Sequence, residues 1–373
     1  MNQELQKEFT DEDQEVLKSI RMSRIILPIL LGLGVVGYLM WKQYDPKEFS
    51  QINWNTHTIF WLMFSVFLLV IRHLAYALRL RILSDGEFSW LKCIELIFIW
   101  EFSSAVSPTS IGGSAVALFV LAQEKLTTAK TATIVVYSAV LDTIFFIGSL
   151  PLLWLLFGNE MLRPSMDGIV AFDAWGYTFI GAYSFMAIYG FIFFYGLFIN
   201  PKTIKKILIW ITDNRWLNKW QKPAEELGQD MISASQELKH KKWDFHFSAF
   251  LSTATAWSCR FLLLNCLILA ISTDPIPLNF FSQLALYARL ESMFVIMAFT
   301  PTPGGAGFAE LVFFGFTSDY VSQKGIALFI AGIWRLMTYY TYLLIGAIII
   351  PNWIRKVINE RKFRKQTKQI EKI

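Results

Sequence analysis

Long runs of apolar residues alternate along the chain with short polar segments. A helix needs about 20 residues to cross a bilayer, and the run at 174–199 contains no ionisable side chain at all. Uninterrupted runs of comparable character occupy residues 25–41, 58–78, 131–158, 174–199, 246–272 and 326–350. The pattern predicts an all-α polytopic membrane protein with about six full transmembrane helices.

Two further apolar regions are broken in the middle. Residues 93–122 are cut at 107–113 by Ser-Pro-Thr-Ser-Ile-Gly-Gly, and residues 281–317 are cut at 301–307 by Pro-Thr-Pro-Gly-Gly-Ala-Gly. Proline removes a backbone donor and clustered glycine adds backbone freedom, so both regions should break there. The arms of the first, 93–106 and 114–122, would reach roughly 21 and 14 Å as helix, too short for about 30 Å of hydrocarbon. A re-entrant hairpin is predicted there, whereas 281–300 could be re-entrant or span fully.

Basic residues predict the orientation. Nine Lys/Arg lie in the loop 201–245, eight in the tail 351–373 and four in the segment 1–24. By the positive-inside rule these parts face the cytoplasm, as expected for a multi-pass protein of the inner (cytoplasmic) membrane with both termini inside. The two broken hairpins then enter from opposite faces, which suggests an inverted repeat. A pair of ordinary proline kinks is the alternative.

Composition narrows the function classes. The chain is 54% hydrophobic and only 17% charged, which disfavours a soluble enzyme. Its net charge of +5 resides in tails and loops, so anionic inner-leaflet lipid at the basic tail is expected as a partner and nucleic acid is not. The four histidines are scattered and no Walker A string is present, so neither a metal, a cofactor nor ATP hydrolysis is expected.

The broken motifs carry a family resemblance. Pro303-Gly304-Gly305-Ala306-Gly307-Phe308-Ala309-Glu310 after an apolar helix resembles the hallmark of the lysylphosphatidylglycerol synthase transmembrane (flippase-like) family, with support from Arg79/Arg81, Asp142 and Arg335. The resemblance covers about residues 20–355 and implies a translocase of lipids with modified or anionic head groups. Because only 23 residues follow the last run, we expect a stand-alone member without the aminoacyltransferase domain of fused members. The expected organisation is a cytoplasmic segment 1–24, a flippase-like domain 25–350 containing the loop 201–245, and a basic tail 351–373.

Candidate binding residues follow from the same elements. Glycine lets a ligand approach the backbone, and the helix that follows offers free N–H groups to a phosphate. Arg260 and Arg335 are predicted to bind the head-group phosphate through their guanidinium forks. The predicted substrate-binding set is Pro108, Gly112, Gly113, Pro303, Gly304, Gly305, Gly307, Arg260 and Arg335.

Other charges within apolar surroundings should pair or couple transport to an ion, because a central charge costs roughly 2.5–3.5 kcal/mol. Glu101, Asp142 and Glu310 are the candidates for coupling or ion pairing. Arg79 and Arg81 are predicted to snorkel to the interface. Tryptophans and lysines in 201–245 favour a helix lying at the membrane surface.

These observations predict a lipid translocase without enzymatic activity. Its substrate is a membrane lipid, and transport is passive or driven by an ion gradient. A homo-oligomer is possible. The alternative is a membrane enzyme, with Glu101, Asp142 or Glu310 as general base, or an accessory subunit acting on a lipid-linked envelope precursor.

Overall fold

A computed structural model describes residues 45–106, 110–124, 126–162, 174–214, 217–298 and 308–370, together with residues 34, 37, 38 and 41. Every regular element in these ranges is helical. The α-helices are α1 (Pro46–Phe49), α2 (Thr56–Leu83), α3 (Trp90–Val106), α4 (Ser110–Gln123), α5 (Thr128–Phe157), α6 (Ala174–Phe198), α7 (Pro201–Thr212), α8 (Gln221–Leu238), α9 (Trp243–Ile271), α10 (Phe280–Met297), α11 (Phe308–Thr317), α12 (Lys324–Arg335) and α13 (Thr341–Ile370). The all-α polytopic fold is confirmed.

Five stretches of the described chain are long and apolar enough to cross a membrane: Thr56–Leu83, Ala129–Met161, Gly176–Phe198, Trp243–Ile271 and Lys324–Val357. They correspond to five of the six predicted spans. The sixth, 25–41, lies almost wholly outside the described residues. Local sequence sets where several helices begin, since Asn55, Thr127 and Asn279 each accept a backbone N–H at the start of α2, α5 and α10.

Helices α2 and α9 pack extensively against each other and run antiparallel. Lys241, just before α9, bonds Asp85, just after α2, at 2.5 Å. Further along the same pair, Arg79 of α2 reaches Thr253 of α9 at 3.3 Å. We call the end of the bundle that holds this first contact the Asp85 end.

The helices α3 and α4 return to the end from which they start. Lys92 at the start of α3 bonds Glu124 just after α4 at 2.6 Å, and α3 follows α2 at the Asp85 end. Their 17 and 14 residues correspond to roughly 26 and 21 Å. Both helices are longer than the predicted arms, because α3 begins at Trp90 and α4 begins at Ser110 and so includes Gly112 and Gly113. Whether the pair re-enters a membrane stays a prediction.

The helices α10 and α11 open to the opposite end. Ser272, just after α9, donates to the Tyr320 carbonyl beyond α11 at 2.7 Å. The Ser322 backbone N–H donates to Asp274 at 2.7 Å. We call this the Asp274 end. The two pairs of short helices therefore face in opposite directions, in corresponding places after α2 and after α9.

The last long helix differs from the prediction in two ways. A five-residue π-helix, Leu336–Tyr340, separates α12 from α13. The helix also continues through Pro351 to Ile370, although the apolar run ends at 350. Lys, Arg, Glu and Gln are good helix formers, so the loss of apolar residues ends the span without ending the helix.

The predicted surface helix is a pair, α7 and α8, packed on the bundle. Met231 of α8 is fully buried, and its side chain lies against Gly196 of α6. Trp210, Trp220 and Trp243 are largely exposed. Exposed tryptophans beside lysines suit a membrane interface, which stays a prediction.

Candidate functional site

A network of arginines and carboxylates lies inside the bundle of long helices. Arg72 of α2 is 1% exposed and bonds Glu101 of α3 at 2.7 Å. Its other amino group donates to the Tyr342 hydroxyl at 3.0 Å, and its guanidinium lies 5.1 Å from the ring centroid of Tyr76. Glu101, a predicted coupling or ion-pair residue, is thus held by an arginine in the middle of the protein.

Arg79 makes a second ion pair two turns further along α2. It is buried and bonds Asp142 of α5 at 2.6 Å. The indole N–H of Trp257 donates to the same Asp142 oxygen at 2.9 Å. The prediction that Arg79 snorkels to the interface is therefore wrong, because a carboxylate on a neighbouring helix satisfies it internally. Arg81 lies over the Trp90 ring, 5.3 Å from its centroid.

Arg260 of α9 stands beside these pairs without a carboxylate of its own. Its guanidinium lies 4.5 Å from the ring centroid of Phe294 and 5.2 Å from that of Trp257. No carboxylate oxygen in the described chain lies within ion-pair distance of it, and its Nε has no hydrogen-bond partner there. Arg72 and Glu101 are close enough to act on its charge. Among the described residues, the predicted phosphate ligand Arg260 is therefore a surplus cation next to the paired Arg72.

Arg335 lies at the junction between α12 and the π-helix. It is 5% exposed, and its guanidinium is 4.3 Å from the ring centroid of Tyr339. The Tyr339 hydroxyl donates to the carbonyl of Ala105, one residue before the end of α3, at 3.2 Å. Through Tyr339, Arg335 therefore lies near the end of α3, which precedes the first broken motif in the sequence. Single-turn π-helices often occur at functional sites.

The glycine motifs are described in part. Gly112 and Gly113 are the third and fourth residues of α4, in the turn whose N–H groups have no partner within a helix. Glu310 is the third residue of α11 and so lies in the first turn of that helix. Only its backbone is described. The predicted binding residues that lie outside the described ranges are Pro108, Pro303, Gly304, Gly305 and Gly307.

Ion pairs connect helices at both ends of the bundle. At the Asp85 end, Lys130 bonds both Asp85 and Glu237, the latter at 2.7 Å. Burial raises the pKa of the Asp85 carboxyl, but Lys130 and Lys241 outweigh it, so the pKa lies below its usual range. At the Asp274 end, Arg289 bonds Asp319 and donates to the Glu160 carbonyl.

Sequence reasoning missed the aromatic half of the site. Tyr76, Trp257 and Tyr342 contact the arginines, yet tyrosine and tryptophan are common throughout the apolar runs. One signal was available: Tyr76 follows Arg72 by four residues, the spacing that places two side chains on one helix face. The described residues contain no cluster of three His, Cys, Asp or Glu side chains that could hold a metal ion. The three cysteines are buried and free.

Comparison with known proteins bears on this arrangement. The family model described as the lysylphosphatidylglycerol synthase TM region matches residues 25–346. A UPF0104 membrane protein of Archaeoglobus fulgidus is 24% identical over 338 residues, which cover 87% of this chain and 95% of that protein. No solved structure matches the chain. The predicted family resemblance is confirmed.

Proposed function

The chain belongs to the lysylphosphatidylglycerol synthase transmembrane-region family, and we propose that it is a lipid translocase that moves an anionic head group between the leaflets. The family name indicates a function related to membrane lipids. In this proposal the acyl tails stay in the bilayer while the head group crosses along the polar network. The loop 201–245 and both termini face the cytoplasm, and the basic tail contacts anionic lipid.

The surplus charge of Arg260 carries the proposal. Arg72 and Arg79 are each matched by a carboxylate, whereas Arg260 rests on aromatic rings. A central charge in a membrane helix costs roughly 2.5–3.5 kcal/mol, so an unmatched one suggests a ligand that supplies the opposite charge. A guanidinium keeps its charge and binds phosphate oxygens in pairs. Arg260 is also half-buried rather than fully enclosed, which leaves room for a head group to approach.

The paired short helices supply the route. They open to opposite ends of the bundle, and α4 begins with glycines in the turn that presents free backbone N–H groups. Helix N-termini attract phosphate through these groups and the helix dipole. Broken elements in corresponding places of two halves are typical of inverted-repeat transporters. We infer such a repeat here, with α2–α5 and α9–α13 as its halves.

We propose transport rather than catalysis. Arginines already bind one oxygen of Glu101 and one oxygen of Asp142, two of the three candidate general bases, so both carboxylates serve as ion-pair partners in the structure. Transport is passive or driven by an ion gradient.

The test uses proteoliposomes of known orientation that contain head-group-labelled phosphatidylglycerol, with labelled phosphatidylcholine as the zwitterionic comparison of zero net charge. We expect wild-type protein to equilibrate phosphatidylglycerol between leaflets, Arg260→Ala to lose this activity and Arg260→Lys to recover part of it. Lys222→Ala, which removes an exposed cation of α8 outside the basic tail, is the control and should leave transport unchanged.

Two results would count against the proposal. Full transport by Arg260→Ala would show that the surplus cation is not needed. A change in lipid composition by mass spectrometry, without redistribution between leaflets, would favour the membrane enzyme instead.

A further inference from the structure

Glu291 of α10 is a fully buried carboxyl group outside the network described above. Its exposed fraction is 0%, and its neighbours in sequence, Leu290 and Met293, belong to the apolar core. It is the twelfth residue of α10, as Glu101 is the twelfth residue of α3. Glu101 has an arginine partner, whereas none of the described ion pairs includes Glu291.

The charged groups nearest in the fold are engaged elsewhere. Arg289, two residues earlier on α10, points to Asp319 and the Glu160 carbonyl. Arg260 of α9 lies on the Phe294 ring. Asp142 of α5 is bound by Arg79. No described cation is therefore placed to neutralise an ionised Glu291.

The uncharged titratable groups facing this carboxyl are few. Tyr287, one turn earlier on α10, places its hydroxyl beside Glu291 and 3.3 Å from Ser258 of α9. Cys259 of α9 is close enough to Tyr287 to act on it. On α6, the Tyr183 hydroxyl donates to the Ile147 carbonyl instead. The surroundings supply hydroxyl groups but no counter-charge within the described residues.

The contacts of Ser149 favour a protonated Glu291. The Ser149 Oγ lies 2.7 Å from the Phe145 carbonyl and also within hydrogen-bond distance of Glu291 Oε1. A serine hydroxyl has one hydrogen and cannot donate to both oxygens. If Glu291 is protonated on Oε1, its O–H donates to Ser149, and Ser149 donates to Phe145, so both contacts are satisfied.

The remaining oxygen agrees with a neutral acid. Glu291 Oε2 is buried and has no hydrogen-bond partner in the described structure. Inside the protein, an ionised carboxylate without a cation and with one unpaired oxygen is more costly than a neutral acid with an unsatisfied carbonyl oxygen. The contacts of both carboxyl oxygens therefore favour a protonated Glu291.

We propose that Glu291 is a proton-binding site that couples lipid movement to a proton gradient, an inference that rests on the proposed function. In the conformation described, Glu291 holds one proton, shared with Ser149. When the helices rearrange and water reaches the carboxyl, the O–H bond breaks, the proton leaves to water and the carboxylate remains. Protonation from water on the other side restores the neutral acid, so one proton crosses in each cycle.

The first experiment detects the proton without measuring transport. Infrared difference spectra between wild-type protein and Glu291→Gln in lipid bilayers should show the C=O stretching band of a protonated carboxylic acid at neutral pH. Ser149→Ala, which leaves Glu291 in place, should shift this band by removing the hydrogen bond. The exposed carboxylate control Glu226→Gln should show no such band. Ionised-carboxylate bands in the wild type would overturn the proposal.

The second experiment measures coupling in the same proteoliposomes under an imposed pH gradient. Glu291→Gln is a near-isosteric mimic of the neutral acid, so we expect it to fold and to equilibrate lipid, but to lose the stimulation that the gradient gives the wild type. Unchanged stimulation in Glu291→Gln would overturn the coupling role. If the acid band is present and the wild type moves no lipid, the proposed function fails while the proton site stands.

Discussion

Replacing Arg72 by methionine tests whether the central ion pair supports the bundle. The change keeps an unbranched side chain of useful volume but removes the bond to Glu101 at 2.7 Å and the bond to Tyr342 at 3.0 Å. It also removes the contact with Tyr76, a cation–π interaction of about 0.5–2 kcal/mol. The Glu101 carboxylate is left inside the protein without its cation.

The expected loss follows from these contacts. A hydrogen bond to a charged group contributes about 1.5–3 kcal/mol, and removing one partner of a buried pair typically costs about 3–5 kcal/mol. We expect Arg72→Met to lower the free energy of unfolding by about 3–5 kcal/mol. Glu101→Gln should recover part of this loss when combined with Arg72→Met, with an interaction energy of about 1–3 kcal/mol in the double-mutant cycle.

The native cysteines provide the assay. Cys93, Cys259 and Cys266 are all buried and free, so a thiol-reactive fluorophore labels them only as the protein unfolds in detergent. Lys222→Met, which removes an exposed pair with 3.7 Å between its charged atoms, is the control and should behave as wild type. A loss below about 1 kcal/mol for Arg72→Met, or strict additivity in the cycle, would refute the reasoning.

Three further predictions concern packing, pH and orientation. Gly346→Ala should cost about 1–3 kcal/mol, measured by the same labelling assay, because the new Cβ would lie 2.5 Å from the buried ring of Phe102; wild-type stability would contradict this contact. Asp85 has a lowered pKa, so its contribution to stability should be present above the unfolded-state pKa and vanish as pH falls through the folded-state pKa; Asp85→Asn should abolish this part of the acid dependence, and an unchanged pH profile would contradict it. Single cysteines at 126–129 should be labelled from the cytoplasmic side and those at 319–323 from outside, and labelling of 126–129 only from outside would exclude the opposed hairpins.

The sequence determined the features that depend on neighbouring residues. A long apolar run predicts a long helix because the bilayer requires a minimum length, and five spans appear where the runs lie. Proline and glycine predicted the two interrupted regions, because both act on the local backbone. The ends of two helices differ from the prediction. Helix α4 includes Gly112 and Gly113, and α13 continues beyond Pro351, because neither residue type forbids a helix when its neighbours support one.

Tertiary structure alone decided how the charges are used. Arg72 and Arg79 lie in an apolar stretch of the sequence, but their carboxylate partners lie on other helices, 29 residues away for Glu101 and 63 for Asp142. The register of α2 against α9 and the placement of α3 and α5 give Arg72 and Arg79 carboxylates and leave Arg260 on aromatic rings. The same packing places Glu291 beside Ser149, and no cation of the described residues pairs with it. Electrostatic energy depends on distances between side chains from different helices, and those distances are set only when the helices pack together.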